Sequence, residues 1–201
     1  ATEEWNADFA YGVWATGGSL NTARSSLGGT AGTATTALAF GGLDPTGETD
    51  VTELYNGTAW AELNNMNEAR RFNGGSGTST SALTFGGSPA SSPPTAITES
   101  WNGTSWTEVN DLNTARRYIA GAGTDNTSSL AFGGLPSALT ESWNGTNWTE
   151  VNDLNTARGF LSNGAGTATA ALGAGGSGPG VTTNTESWNG TNWTEVNDLN
   201  L

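Results

Sequence analysis

The sequence contains no cysteine, no histidine and no lysine, so that its six basic residues are all arginine. Without His or Cys, the chain cannot form a Ser-His or Cys-His nucleophile system, a thiolate or the usual zinc site. Without lysine, it has neither a Walker-type phosphate loop nor a Schiff-base residue. Disulfides are excluded as a stabilising device. We therefore expect a protein that is not an enzyme and that has no catalytic residue and no cofactor.

Positive charge is scarce as well. Nineteen acidic residues against six arginines give a net charge of −13. This balance argues against a nucleic-acid partner, because phosphates require a basic face, and it disfavours anionic membrane surfaces. No apolar stretch approaches 18 residues, so we expect no membrane insertion. A strongly acidic, lysine-free surface favours a salty or extracellular setting.

What the sequence does contain is a repeat. A segment that reads Thr-Glu-Ser-Trp-Asn-Gly-Thr occupies the start of 98–113, 140–155 and 185–200, with a looser copy at 52–67 and a degenerate one at 2–21. Arginines close the copies at intervals of 46, 46 and 42 residues, at Arg24, Arg70, Arg116 and Arg158. This period fits both four-stranded propeller blades and some helical repeats.

Composition favours strands over helices. The chain has 30 glycines and many Thr, Ser and Asn residues, and it shows no sustained apolar spacing of 3.6. The Asn102-Gly103 pair predicts a two-residue type I′ hairpin turn that would pair Trp101 with Thr104 and Glu99 with Trp106. In that register, both indoles of the hairpin lie on one face. We expect them to pack between blades, because exposing nine tryptophans would forfeit their burial energy.

Each repeat then provides four strands, which we label A to D. Strand A follows the arginine and is rich in small residues, strand B ends in a glycine pair, and strands C and D form the Asn-Gly hairpin. The chain holds five C–D hairpins but only four A–B pairs. We predict a single all-β propeller domain over 1–201, most consistent with five blades, one of them incomplete or completed by another chain. The expected units are a half-blade at about 1–19, then 20–65, 66–111, 112–153 and 154–201.

The repeat resembles the kelch family of β-propellers. The likeness rests on the glycine pair Gly133-Gly134, on Trp143-Asn144, on Trp148 with apolar residues at +3 and +6, and on Arg158. It implies four-stranded blades around a central axis. The Gly-Ala-Gly-Thr and Leu-Asn-Thr-Ala-Arg motifs are also similar to motifs in repeat proteins of marine phages and marine bacteria. That similarity implies a phage-tail or other virion component, or a surface adhesin.

Recurring glutamate pairs are the one candidate for catalysis. Paired carboxylates hydrolyse glycosides, so Glu99 with Glu108, and their counterparts in other repeats, raise the alternative of a propeller glycosidase or lyase. One copy per blade is, however, typical of structure. We expect these glutamates to pair with the recurring arginines.

Binding residues are expected where the repeats disagree, in the B–C connections 43–51, 88–97, 135–139 and 177–184. The first connection holds Asp44, Glu48 and Asp50, whose oxygens can bind Ca²⁺, although a solvated acidic loop is the more economical interpretation. The second holds Ser92, Pro93 and Pro94, which suit a rigid contact loop or a tolerated insertion.

These observations lead to one functional hypothesis and its alternative. The main hypothesis is a non-enzymatic structural or recognition propeller, extracellular or on a virion surface, that contacts a protein or a glycan through its variable loops. Homo-oligomers and assembly with other structural proteins both remain open. The alternative is the carboxylate-dependent glycosidase or lyase.

Overall fold

The computed structural model describes residues 3–6, 13–29, 35–89, 93–135, 137–161, 164–178 and 180–200. Every regular element in these ranges is a β-strand, and all strand pairs are antiparallel. Within these ranges the chain has no helix long and apolar enough to cross a membrane.

Four sheets have four strands each, in the order A, B, C, D. Blade 1 consists of β3 (Gly28–Gly29), β4 (Ala37–Phe40), β7 (Thr52–Tyr55) and β8 (Trp60–Glu62). Blade 2 consists of β9 (Gly74–Thr78), β10 (Ser81–Phe85), β11 (Thr98–Trp101) and β12 (Trp106–Val109). Blade 3 consists of β13 (Ala120–Asp125), β14 (Ser128–Phe132), β15 (Thr140–Trp143) and β16 (Trp148–Val151). Blade 4 consists of β17 (Ala165–Thr167), β18 (Ala170–Ala174), β19 (Thr185–Trp188) and β20 (Trp193–Val196).

Two further hairpins complete the strand inventory. Strands β1 (Glu3–Asn6) and β2 (Val13–Thr16) pair as an isolated C–D hairpin, the predicted half-blade. Strands β5 (Leu43–Asp44) and β6 (Gly47–Glu48) form a small hairpin inside the first B–C connection, which the sequence did not predict. In the described part of the chain, the fold is thus all-β and consistent with a five-bladed β-propeller whose ring is not closed.

The four A strands lie innermost, side by side along the axis. Their small residues are required there, because a Cβ atom on Gly121 would collide with the carbonyl oxygen of Gly75 in the neighbouring blade. The hydroxyls of Ser76 and Ser129 are 2.6 Å apart. The space left between the inner strands is about 20 Å³, room for roughly one water. The predicted position of strand A is confirmed, and the A strands of blades 2 to 4 pack closely together.

Aromatic pairs join successive blades. The phenylalanine of strand B packs on the D-strand tryptophan of the next blade, with centroid distances of 5.0, 5.1 and 4.7 Å in the pairs Phe40–Trp106, Phe85–Trp148 and Phe132–Trp193. Each of these tryptophans is buried. Burying one indole is worth up to about 4–6 kcal/mol, from ~150–250 Å² at ~25 cal/mol per Å². The prediction that the hairpin tryptophans form an inter-blade core is confirmed for these blades.

The predicted register of the Asn-Gly hairpin is wrong. Trp101 lies directly opposite Trp106, and Glu99 lies opposite Glu108, so the connection has four residues rather than two. The side-chain oxygen of Asn102 accepts hydrogen bonds of 2.9 Å from the backbone N–H groups of Thr104 and Ser105. This Asx turn needs positive φ only at Gly103, where φ is +91°. The expectation that both indoles share a face nevertheless holds, with their rings 5.3 Å apart.

The outer face of blade 4 is uncovered among the described residues. Leu130 of blade 3 is 0% exposed, whereas Leu172 at the same position of blade 4 is 42% exposed. Leu154 is 4% exposed, and its counterpart Leu199 is 51% exposed. In blade 4, Ala174 stands where the other blades carry phenylalanine. In blades 1 to 3, this face is buried against the next blade. In blade 4, the same face is therefore exposed.

Candidate functional site

Antiparallel connectivity sorts the connections to two ends of the blades. The A–B turns and the Asn-Gly loops lie at one end, which we call the turn face. The B–C connections and the D–A connections lie at the other, which we call the loop face. Backbone pairing joins the two kinds of connection, as in Ser25 with Leu43, Arg71 with Ser88, and Gly159 with Ser177. The four B–C connections, which differ between repeats, are thus gathered at one end.

The recurring glutamates of strand C pair with the recurring arginines, as predicted. Arg24, Arg70, Arg116 and Arg158 contact Glu53, Glu99, Glu141 and Glu186 at distances of 2.6, 2.6, 2.8 and 2.7 Å. All eight side chains are almost completely buried. The second oxygen of each glutamate is also used: that of Glu141 accepts from the backbone N–H and side-chain amide of Asn113.

Each of these ion pairs joins the D–A connection that enters a blade to strand C of the same blade. Burial lowers the pKa of Arg116 from its ordinary value, and the charge of Glu141 opposes that shift. The cross-strand partners Glu108, Glu150 and Glu195 are exposed to solvent. Each glutamate pair of the repeat is therefore split between a buried, arginine-bound member and a solvated one.

The three carboxylates of the first B–C connection have different partners. Asp44 accepts hydrogen bonds of 2.6 Å from both the backbone N–H and the hydroxyl of Thr46. These bonds hold the pKa of Asp44 below its ordinary value. Glu48 forms an ion pair of 3.2 Å with Arg71 of blade 2, and Asp50 accepts from Asn65 at 3.2 Å. Among the described residues, no group of three or more His, Cys, Asp or Glu side chains is placed to hold a metal. Calcium binding in this loop stays a prediction.

The proline-rich connection is only partly described. Pro93 is exposed and Pro94 half-buried, both outside regular strands. Ser92 lies outside the described residues. Past these prolines, the backbone N–H of Thr95 donates to the carbonyl of Gly87, which anchors the end of the loop to the sheet. A contact role for Ser92, Pro93 and Pro94 stays a prediction.

A set of residues that the sequence analysis missed lies two positions after each recurring arginine. Ser26, Phe72, Tyr118 and Phe160 have φ values of +57°, +59°, +60° and +54°. The left-handed conformation costs an L-residue roughly 1–2 kcal/mol and is unusual for aromatic residues. It recurs here in every four-stranded blade.

Backbone hydrogen bonds hold this conformation in place. Phe72 N–H donates to the carbonyl of Ser26 at 2.9 Å, Tyr118 N–H to that of Phe72 at 2.9 Å, and Phe160 N–H to that of Tyr118 at 3.2 Å. The result is a ladder from blade to blade around the axis at the loop face. The three aromatic rings follow the ladder, with centroids 4.2 Å apart for Phe72–Tyr118 and 3.8 Å apart for Tyr118–Phe160. We call these three residues the aromatic row.

The arginines that do not join the buried pairs accompany this row. The guanidinium carbon of Arg71 lies 4.8 Å from the ring centroid of Phe72, and that of Arg117 lies 5.3 Å from the centroid of Tyr118. Four of the six arginines in the chain are committed to the buried strand-C glutamates. Both remaining cations therefore stand at one site.

A cavity of about 160 Å³ opens at this site. Its walls are the four left-handed residues, each with the residue that follows it: Leu27, Asn73, Ile119 and Leu161. None of these side chains is a carboxylate. A larger hollow of about 470 Å³ lies on the outer rim between blades 1 and 2, lined by Glu62, Leu63, Asn64, Gly103 and Thr104. Here Ser105 replaces the asparagine that accepts from Asn110 or Asn152 in the later blades, and Asn64 donates only to the carbonyl oxygen of Thr104, at 2.8 Å.

Comparison with known proteins adds no relative to these observations. No protein-family model matches the sequence, and no curated protein matches it either.

Proposed function

We propose that this protein is a non-enzymatic recognition propeller that contacts a glycan or a protein through its loop face. The observation that carries the proposal is the contrast between the two ends of the blades. The turn face repeats the same Asn-Gly loop and, in blades 2 to 4, a two-residue A–B turn, whereas the loop face gathers four B–C connections of different length and sequence. A scaffold that repeats its framework and varies one end is typical of binding proteins.

The arrangement of carboxylates supports binding over catalysis. A glycosidase of the retaining or inverting type needs two carboxyl groups about 5–9 Å apart around one sugar. The walls of the loop-face cavity carry no carboxylate, and the buried strand-C glutamates are bound to arginines. At the turn-face end of the inner strands, Asp125 is held by hydrogen bonds from Thr127, which lower the pKa of Asp125 and disfavour a general acid.

For the setting, we propose an extracellular or virion surface, as a phage-tail component or a surface adhesin. The similarity of the repeat sequence to marine phage and marine bacterial repeat proteins supports this setting. The net charge of −13 agrees with a salty medium. The kelch-like order of glycine pair, aromatic residue and arginine supports a relation to that propeller family.

A glycan array probed with the 201-residue chain tests the proposal. We expect saturable retention of at least one glycan or purified surface protein, with no new reducing ends when the bound glycan is incubated with the protein. Replacing 43–51 by the shorter connection 135–139 should weaken the binding. The matched control is Thr146→Ala on the turn face, which should leave it unchanged. Depolymerisation of the glycan would support the glycosidase or lyase instead, and absence of all binding would oppose recognition.

A further inference from the structure

The aromatic row is not required by the backbone ladder that carries it. The ladder uses only N–H and C=O groups, and Ser26 forms its first step without a ring. Glycine adopts the left-handed conformation without strain and would serve the same bonds. Three of the four positions nevertheless carry a large aromatic residue. Strained, bulky residues that the framework does not need point to a role outside the framework.

The row is also accessible. Phe160, the last ring of the stack, is 52% exposed, and both Phe72 and Tyr118 are partly exposed. The rings line a cavity of about 160 Å³, well below the ~300–1,000 Å³ of pockets for larger ligands. The site therefore suits one six-membered ring rather than an extended molecule. Aromatic walls with a few polar groups are the usual lining of such sites.

Charge selects the class of ligand. Arg117 contacts Tyr118 and has no carboxylate within ion-pair distance in the described part of the chain, whereas Arg71 is paired with Glu48. A guanidinium stacked on a ring is oriented to receive a carboxylate through two parallel N–H groups. A cationic ligand would meet Arg71 and Arg117 over two of the rings. The distant acidic residues are screened beyond a Debye length of about 8 Å at physiological ionic strength.

Resting on the proposed recognition function, we propose that the aromatic row binds a single uronic acid residue of an acidic polysaccharide. The sugar ring stacks on the exposed face of Phe160, the end of the aromatic row, and its carboxylate is bound by Arg117. The hydroxyl of Ser26, in the same wall, is a hydrogen-bonding partner for a sugar hydroxyl. The variable B–C connections around the mouth contact the neighbouring sugars.

Calorimetric titration of the full chain with trigalacturonate tests this assignment, with galactotriose, a sulfated galactose trisaccharide and benzoate as comparison probes. We expect saturable binding of the uronate and at least tenfold weaker binding of the three others. If galactotriose, which has no carboxylate, bound as tightly as trigalacturonate, Arg117 would not be the group that selects the ligand. Preference for the sulfated sugar would overturn the carboxylate assignment, and preference for benzoate would overturn the sugar.

Variants locate the site. Phe160→Gly and Arg117→Gln should each weaken uronate binding at least tenfold while the unfolding midpoint stays within a few degrees. Phe160→Tyr keeps the stacking face and should retain affinity. Thr146→Ala, at an exposed residue of the turn face, is the matched control and should also retain it. If a glycan or protein binds but Phe160→Gly has no effect, the aromatic row is not the site, although the recognition function stands. If nothing binds, both proposals fail.

Discussion

The indole Nε1 of Trp148 in blade 3 donates a hydrogen bond of 3.1 Å to Oγ1 of Thr98 in blade 2. Trp106 with Thr52 and Trp193 with Thr140 repeat this bond at 2.9 and 3.0 Å. Every bond joins a D strand to the C strand of the preceding blade, and both partners are buried. The tryptophan that fills the inter-blade core thus also fixes the alignment of the two blades.

Thr98→Val should remove this acceptor while preserving side-chain shape. Because a buried donor left without a partner costs about 1–3 kcal/mol, we expect a loss of that size in the free energy of unfolding. The measurement is urea denaturation within a double-mutant cycle with Trp148→Phe. In the Trp148→Phe background, the effect of Thr98→Val should fall below about 0.5 kcal/mol. Equal losses in both backgrounds would show that the hydrogen bond is not the source of the effect.

The buried pair of Arg116 and Glu141 gives a larger effect. Arg116→Met leaves Glu141 as an unpaired buried carboxylate, and we expect a loss of roughly 3–5 kcal/mol. The double variant with Glu141→Leu should recover part of this loss, because no unpaired charge remains. Glu150→Gln, at the exposed residue opposite Glu141 in the sheet, is the matched control and should stay within about 0.5 kcal/mol. Comparable losses for Glu150→Gln and Arg116→Met would contradict this assignment.

The parts of the fold that could be predicted are those that depend on the sequence of one repeat or of two adjacent repeats. The small-residue inner strand, the shared face of Trp101 and Trp106, and the pairing of Glu141 with Arg116 follow from spacing within or between adjacent copies. The hairpin register could not be obtained in the same way. The register depends on whether the side chain of Asn102 accepts hydrogen bonds from the turn. The same Asn-Gly sequence fits both a two-residue type I′ turn and the four-residue Asx turn that is observed.

The candidate site was harder to predict, because it forms only between blades. Phe72, Tyr118 and Phe160 are separated by 42 to 46 residues and come together through the ladder around the axis. A signal was present: the second residue after the recurring arginine is aromatic in three of four copies. The sequence spacing does not indicate that these residues have positive φ values, and without that conformation their position in the ladder could not be inferred.

That conformation reverses the usual order of glycine and alanine stability. At Phe160, alanine retains the left-handed strain of roughly 1–2 kcal/mol, whereas glycine has none. We expect Phe160→Gly to be more stable than Phe160→Ala by up to about 1 kcal/mol, after the greater chain entropy of glycine is included. Thermal unfolding measures the difference. At Val181, whose φ is not positive, the order should be the ordinary one, with alanine more stable.

Thr127 controls the ionisation of Asp125. Its hydroxyl and backbone N–H donate to the carboxylate at 2.6 and 2.7 Å and lower the pKa of Asp125. A depressed folded-state pKa adds stability above the unfolded value, and this contribution is lost as the pH falls through the folded one, below about pH 4. Thr127→Ala should raise the pKa of Asp125 toward its ordinary value, as followed by the carboxyl carbon shift in NMR titration. Thr149→Ala, on an exposed strand position, should leave the titration unchanged.

The open face of blade 4 predicts unequal costs for one substitution at two equivalent positions. Leu130→Ala removes a fully buried side chain and should cost about 2–5 kcal/mol. Leu172→Ala, at a residue that is 42% exposed, should cost about 1 kcal/mol or less. Urea denaturation at several protein concentrations measures both. Equal costs that do not depend on concentration would mean that another part of the chain covers this face, with the half-blade of β1 and β2 as the first candidate. Equal costs that grow with concentration would mean that a second copy covers it, because only association between chains makes burial at Leu172 depend on mass action.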